Sequence, residues 1–290
     1  MEASDELSTP RARVFAELRR LGLERNALEL QENGLTLVEG ALDTGMLERL
    51  RTAILKQVAR RAGLDDPPNI NDYNGPAIPD GSWLLFEDSV FEEVLTNEPM
   101  IALMQYMLGE SMQLSNMWSH TRTMNDNQEG LLLHADSYSG GFPLQPDFAN
   151  CNFALVDYEQ DLGALAYVPG SHLTRRQTLP NEMMGHEDCI PVECPAGTAI
   201  IFSGGTWHGA YPRKVPGIRL NLSVAMNRAH LITVESLRQS ITQEMLDRNP
   251  PRFGSLLGQN IPLGFGAEGQ RFLDPAVHQK FVDRLTDPFA

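Results

Sequence analysis

From Ile218 to Met226 the chain alternates without a break. Leu220, Leu222, Val224 and Met226 fall on one face of an extended segment, and Arg219, Asn221, Ser223 and Ala225 fall on the other, because successive side chains of a strand point to opposite faces. An unpaired guanidinium is very costly inside a closed apolar core. A polar face led by arginine therefore suits a sheet with one packed side and one side lining a cavity that holds an anion, since Arg is built for bidentate carboxylate recognition. A structural salt bridge from Arg219 to one of the many acids is the competing reading.

A second constraint lies in Leu131-Leu132-Leu133-His134-Ala135-Asp136. A His-x-Asp pair in an extended segment places an imidazole and a carboxylate on one side. With seven histidines and typical charged-residue usage, about 0.4 such pairs arise by chance, so the pair alone is weak. Trp207-His208 offers a second imidazole. Two imidazoles and one carboxylate on one side of a metal form the facial triad of non-haem Fe(II) oxygenases, which makes His134, Asp136 and His208 the candidate metal ligands and catalytic residues.

The remaining pattern predicts a frame for these pieces. A length of 290 residues with 42% hydrophobic and 21% charged residues fits one large β-rich domain. We expect residues 1–290 to form a single domain: a helical N-terminal brace at 10–63, a barrel core at about 112–228, and a helical and loop cover at 229–290. Pro10 opens a helix with Val14, Phe15, Leu18 and Leu21 at helical spacing. Asp43 opens a longer one, marked by Leu47, Leu50, Ile54 and Val58 and closed by Gly63. The stretch 65–82, with four prolines, reads as a long loop, either a rim or lid or a plain connector.

A helix at Glu98–Leu108 precedes the strand-like Met112–Met124. There Leu114, Asn116, Trp118 and His120 share a face that fits a pocket lining, although Trp118 suits a core position by size and His120 is equally ambiguous. The Gly/Pro-rich run from Ser137 to Asp147 leaves directly from the His-x-Asp segment. Tyr138 and Phe142 are accordingly substrate contacts or loop packing. Asn150–Tyr158 and Gly163–Val168 read as a hairpin, Ile232–Leu246 as a helix. The tail with Phe253, Leu256, Leu257 and Phe265 either covers the barrel mouth or makes a homodimer contact.

In their order, His134-Ala-Asp136, Gly163-Ala-Leu-Ala-Tyr-Val-Pro-Gly-Ser-His172, Ala199-Ile-Ile-Phe-Ser-Gly-Gly-Thr-Trp-His208 and Arg219 resemble the phytanoyl-CoA dioxygenase family of Fe(II)/2-oxoglutarate-dependent oxygenases. Asn33-Gly-Leu-Thr-Leu-Val-Glu-Gly-Ala-Leu42 resembles that family's opening strand, so the likeness covers most of 33–228. It implies a mostly β fold with flanking helices, the double-stranded β-helix or jelly-roll (cupin-like) barrel, and implies Fe(II), 2-oxoglutarate and O2 as cofactor and cosubstrates. Arg219 would then pair with the distal carboxylate of 2-oxoglutarate, and Asn116 and Ser223 are assigned to the same ligand. His172 sits in the turn that closes the family's strand and is expected to be structural.

The implied reaction is oxidation of an unactivated C–H bond of a small metabolite or natural product by hydroxylation, desaturation or rearrangement. The alternatives are an acyl-CoA hydroxylase, for which Arg175-Arg176 and Arg213-Lys214 offer basic pairs, and a non-catalytic metal-binding barrel. Halogenating relatives have a small residue in place of the carboxylate ligand, whereas this chain has Asp136.

A net charge of −15 repels phosphate backbones and argues against nucleic acid. No apolar run approaches the ~20 residues that span a bilayer, and the acidic first residues are unlike a signal peptide. We therefore expect no membrane partner and a cytoplasmic location. Cys151, Cys189 and Cys194 read as reduced thiols.

Overall fold

The computed structural model describes residues 10–137 and 146–259. Its larger sheet is antiparallel and has the order β1 (Leu35–Val38), β6 (Ala199–Ser203), β3 (Phe148–Ala154), β8 (Arg219–Arg228) and β2 (Met112–Arg122). A smaller antiparallel sheet has the order β5 (Ile190–Pro191), β4 (Leu165–Tyr167) and β7 (His208–Ala210). Residues from both sheets line one cavity. This is the jelly-roll arrangement, with two sheets enclosing a site.

The alternation in the sequence decides which side of the larger sheet is which. Leu220, Leu222, Val224 and Met226 of β8 join Ala149, Cys151 and Phe153 of β3 and Ile201 of β6 in the main core. Helices α1 (Pro10–Leu21), α2 (Glu24–Asn33), α3 (Thr44–Ala62), α4 (Val90–Leu95) and α5 (Glu98–Leu108) add Leu18, Leu30, Leu50, Ile54, Phe91 and Leu103 to it. Each such burial removes apolar surface worth about 1.5–3 kcal/mol from water, which is why these helices cover the outer face. The boundaries of α3 follow its end residues: the Asp43 carboxylate accepts from Met46 N at 2.8 Å, and Gly63 takes the left-handed conformation at φ 69°.

Several expectations are corrected. Leu114 does not share the face of Asn116, Trp118 and His120. A β-bulge places Ser115 as an extra residue, so Leu114 pairs with Met226 and enters the core, whereas the inner set begins at Asn116 opposite Ala225. Asn150–Tyr158 and Gly163–Val168 are not a hairpin: β3 pairs with β6 and β8, and β4 pairs with β5 and β7 in the other sheet. The chain turns through Gln160–Leu162 and Gly163, at φ 87°, to change sheets. The region expected as the helix Ile232–Leu246 holds only a 3-10 turn at Leu237–Gln239 and α7 (Gln243–Asp247), because Glu235 and Val234 are tied to the bulge instead. The brace at 10–63 also contains α2 and contributes β1 as an edge strand.

Phe253, Leu256 and Leu257, in and beside α8 (Pro251–Leu256), are buried in the main core. Tyr138, Phe142 and Phe265 lie outside the described residues. Among the described residues no helix is long and apolar enough to cross a membrane, and the three cysteines are unpaired thiols.

Candidate active site

His134 lies in an extended segment that meets the start of β7 in a two-way bridge. His134 N donates to His208 O and His208 N donates to His134 O, both at 2.9 Å. The paired backbones bring the two imidazole centroids to 4.5 Å. Asp136, two residues on, points to the same side: His134 Nε2 is 3.4 Å from its Oδ1 and His208 Nε2 is 3.4 Å from its Oδ2. The three donor atoms lie within 4.8 Å of one another, and among the described residues no other group of three or more histidine, cysteine or carboxylate donors is placed to hold a metal.

The outer contacts fix how these donors face. Nδ1 of His134 bonds the Leu132 carbonyl at 2.9 Å and Nδ1 of His208 bonds the Thr206 carbonyl at 3.0 Å. A carbonyl only accepts, so each Nδ1 carries a proton, and in the neutral ring each Nε2 is the nitrogen left for a metal on the Asp136 side. Asn150 Nδ2 donates to Asp136 Oδ2 and orients the carboxylate. Burial pulls the His208 imidazole below its ordinary value. Burial also opposes charge on His134, but the hydrogen bond and charge of Asp136 outweigh it and hold that imidazole above the usual value. Burial opposes charge on Asp136, but His208 and His134 beside it hold its carboxyl below the usual carboxylate range. An ionised carboxylate and two imidazoles presenting Nε2 fit Fe(II) as a two-His, one-carboxylate face.

The triad opens on a cavity of about 320 Å³ whose far wall carries Arg219. Arg219 is 4% exposed. Its Nε donates to Gly163 O at 3.1 Å and its Nη1 to the Tyr158 hydroxyl at 3.4 Å, with the guanidinium carbon 5.5 Å from the Tyr158 ring centre. Burial raises the Tyr158 phenol, so it stays neutral. Among the described residues no carboxylate pairs with Arg219. The cavity also carries Asn150 Oδ1, Asn152 Oδ1 and Asn221 Nδ2, buried atoms without a hydrogen-bond partner. A lone buried cation with a free amide donor, Asn221 Nδ2, in the same cavity fits a polar anion such as 2-oxoglutarate, and the two amide oxygens are left to accept from donors.

Asn116, Ser223, Trp118 and His120 all line this cavity. Trp118 Nε1 donates to Glu235 Oε1 at 2.7 Å, and His120 Nδ1 bonds Asp80 Oδ2 at 3.0 Å, so His120 stands apart from the metal donors. His172 bonds the Gln31 carbonyl through Nε2 at 3.2 Å and is likewise no part of the donor cluster. The sequence reading missed Asn150, Asn152, Tyr158, Asp80 and Glu235. The two asparagines had a signal, since they alternate with Ala149, Cys151 and Phe153; the other three come from segments whose placement depends on the whole fold.

Three of the four residues in the two basic pairs are engaged elsewhere. Arg176 pairs with Glu182 at 2.6 Å and lies over the Trp207 ring, Lys214 pairs with Asp161 at 2.7 Å, and Arg213 donates to the carbonyls of Leu162, Val215 and Pro216.

The family model for phytanoyl-CoA dioxygenase (PhyH) matches residues 30–220. Among curated relatives, the dioxygenase cdmD of Talaromyces verruculosus is 22% identical over 258 residues, covering 79% of this chain and 81% of its own. Among solved structures, the epimerase SnoN from nogalamycin biosynthesis, in complex with Fe3+, alpha-ketoglutarate and nogalamycin RO, aligns with a TM-score of 0.53 at 20% identity over 72% of this chain and 85% of its own. HygX from Streptomyces hygroscopicus, with nickel and 2-oxoglutarate bound, aligns with a TM-score of 0.58 at 15% identity over 72% and 88%.

Proposed function

The chain belongs to the phytanoyl-CoA dioxygenase family, and on that premise we propose that it oxidises an unactivated C–H bond of a small natural product, by hydroxylation, desaturation or rearrangement. It is a non-haem Fe(II)/2-oxoglutarate-dependent dioxygenase. The observation that carries the residue assignment is Arg219: a buried guanidinium without a carboxylate partner among the described residues, lining the same cavity as His134, Asp136 and His208.

In this reading His134 Nε2, Asp136 and His208 Nε2 hold the metal. The carbonyls of Leu132 and Thr206 lock the two imidazoles, and Asn150 keeps the carboxylate turned toward them. Arg219 takes the distal carboxylate of 2-oxoglutarate, with Asn116 and Ser223 as further contacts on the same wall. Fe(II) and 2-oxoglutarate, held by these residues, would supply the O2 activation needed to oxidise a C–H bond. Phe202, whose ring centre lies 4.5 Å from that of His208, keeps water from that side of the site. The engaged state of Arg176, Arg213 and Lys214 leaves them poorly placed to hold a coenzyme A phosphate, which favours a small substrate over an acyl-CoA.

The test is succinate formation from 2-oxoglutarate by the purified protein with Fe(II) and ascorbate, alongside metal titration. We expect succinate from the wild type, and loss of both succinate and tight metal binding in His134→Ala, Asp136→Ala and His208→Ala. A barrel that only binds metal would release none, and full activity in any of the three variants would overturn the ligand assignment.

A further inference from the structure

Besides the three donors, the cavity contains a fourth histidine held in a different way. His120 sits on the inner face of β2 between Trp118 and Arg122, and its Nδ1 meets a carboxylate, Asp80 Oδ2, at 3.0 Å. Asp80 arrives from the proline-rich loop at 65–82, which Gly81 ties to β2 by a two-way bridge with Ser119. Its other oxygen accepts from Thr121 N at 2.9 Å and from Arg122 Nη1 at 3.3 Å. One carboxylate thus aims two neighbouring side chains of the same strand face.

Burial opposes charge on Asp80, but His120 and Arg122 beside it bring its carboxyl down to about 2. The ionised group only accepts, so the proton on His120 lies at Nδ1, and in the neutral ring Nε2 is left as an acceptor. Arg122 can only donate. An acceptor and a donor two residues apart on one strand face match a hydroxyl, which donates through its proton and accepts through its oxygen. Across the sheet they face Asn221 and Arg219, and Trp118, Leu131, Leu132 and Val234 add an apolar part to the cavity wall. A second cavity, of about 650 Å³, shares Arg122, Gln128 and Leu132 and gives room for a larger body.

We propose that Asp80, His120 and Arg122 form a hydroxyl reader, and that the substrate is an alcohol or phenol on an apolar body, oriented by His120 Nε2 and Arg122. This rests on the oxygenase reading of the cavity. The test is binding of two matched probes, 2-naphthol and 2-methoxynaphthalene, to the full-length protein with Ni(II) and 2-oxoglutarate, followed by titration calorimetry.

The wild type should prefer the naphthol by about tenfold, the worth of one good hydrogen bond. His120→Phe should reduce the preference to within about twofold while the methoxy compound binds as before. Asp80→Asn should weaken the preference with the imidazole still present, and His120→Gln, whose amide oxygen can accept, should keep part of it. Equal affinities in the wild type, binding of neither probe, or a preference that survives in His120→Phe would overturn the proposal. Failure of the oxygenase reading has a different signature: no succinate, with the naphthol preference intact.

Discussion

Arg219 shows how one residue constrains a ligand. Its neighbours are a carbonyl and a phenol, neither of which neutralises it, and in the proposed site the distal carboxylate of 2-oxoglutarate balances the charge. Arg219→Leu removes a charge-assisted pair worth roughly 1.5–3 kcal/mol. The Michaelis constant for 2-oxoglutarate should therefore rise by roughly tenfold or more, read from succinate formation against cosubstrate concentration. An unchanged constant would assign that carboxylate to another residue. Gly209 carries a constraint of a different kind, because a Cβ there would collide with the Leu131 carbonyl. Gly209→Ala should push the His134 segment off β7 and weaken Co(II) binding with the three ligands still in place; an affinity equal to wild type would mean that the bridge has slack.

At the level of elements, the bulge on β2 is the feature that most needs support from outside the sheet. Glu235 supplies it, accepting from Met117 N at 3.0 Å, Trp83 N at 2.8 Å and Trp118 Nε1 at 2.7 Å while itself 5% exposed. A buried donor left without a partner costs about 1–3 kcal/mol. Glu235→Ala should consequently lower the unfolding free energy by about 2 kcal/mol or more in a denaturant titration, and shift Trp118 emission as the ring loses its anchor. An unmoved midpoint would remove Glu235 from the support of the bulge. The same contact explains which elements could be read in advance. β8 was legible because its alternation runs unbroken from Arg219 to Met226, and α3 because Asp43 and Gly63 mark its ends. The phase change at Ser115 leaves no mark in composition, since a bulge adds one residue of any kind. Likewise Leu237, Ile241 and Met245 carry helical spacing, yet a carboxylate fixed 117 residues away on Trp118 holds the preceding turn out of a helix. The partners of β3 and β4 depend on which sheet each strand joins, a choice made by the whole chain.

Across the whole molecule the triad and its surroundings set the limits of the chemistry. In the proposed site Asp136 is the carboxylate ligand, and its negative charge takes the position on the metal face that a halide would need. Products should accordingly be hydroxylated, desaturated or rearranged even in high chloride or bromide, and a halide isotope pattern in the mass spectrum of a wild-type product would refute this. The two faces of the larger sheet have a further consequence for how such a chain can change over generations. From Ala149 to Phe153 of β3 and from Arg219 to Met226 of β8, residues of the helix-covered core alternate with residues of the cavity. Exchanges at Asn152 or Ser223 alter the cavity wall without changing Cys151, Leu222 or Val224 behind it, whereas Asn221 also accepts from His120 N at 2.8 Å and is tied to the framework. Stability and selectivity are thereby written on separate, interleaved letters of the same strands, which leaves a lineage free to explore new substrates while its framework stands still.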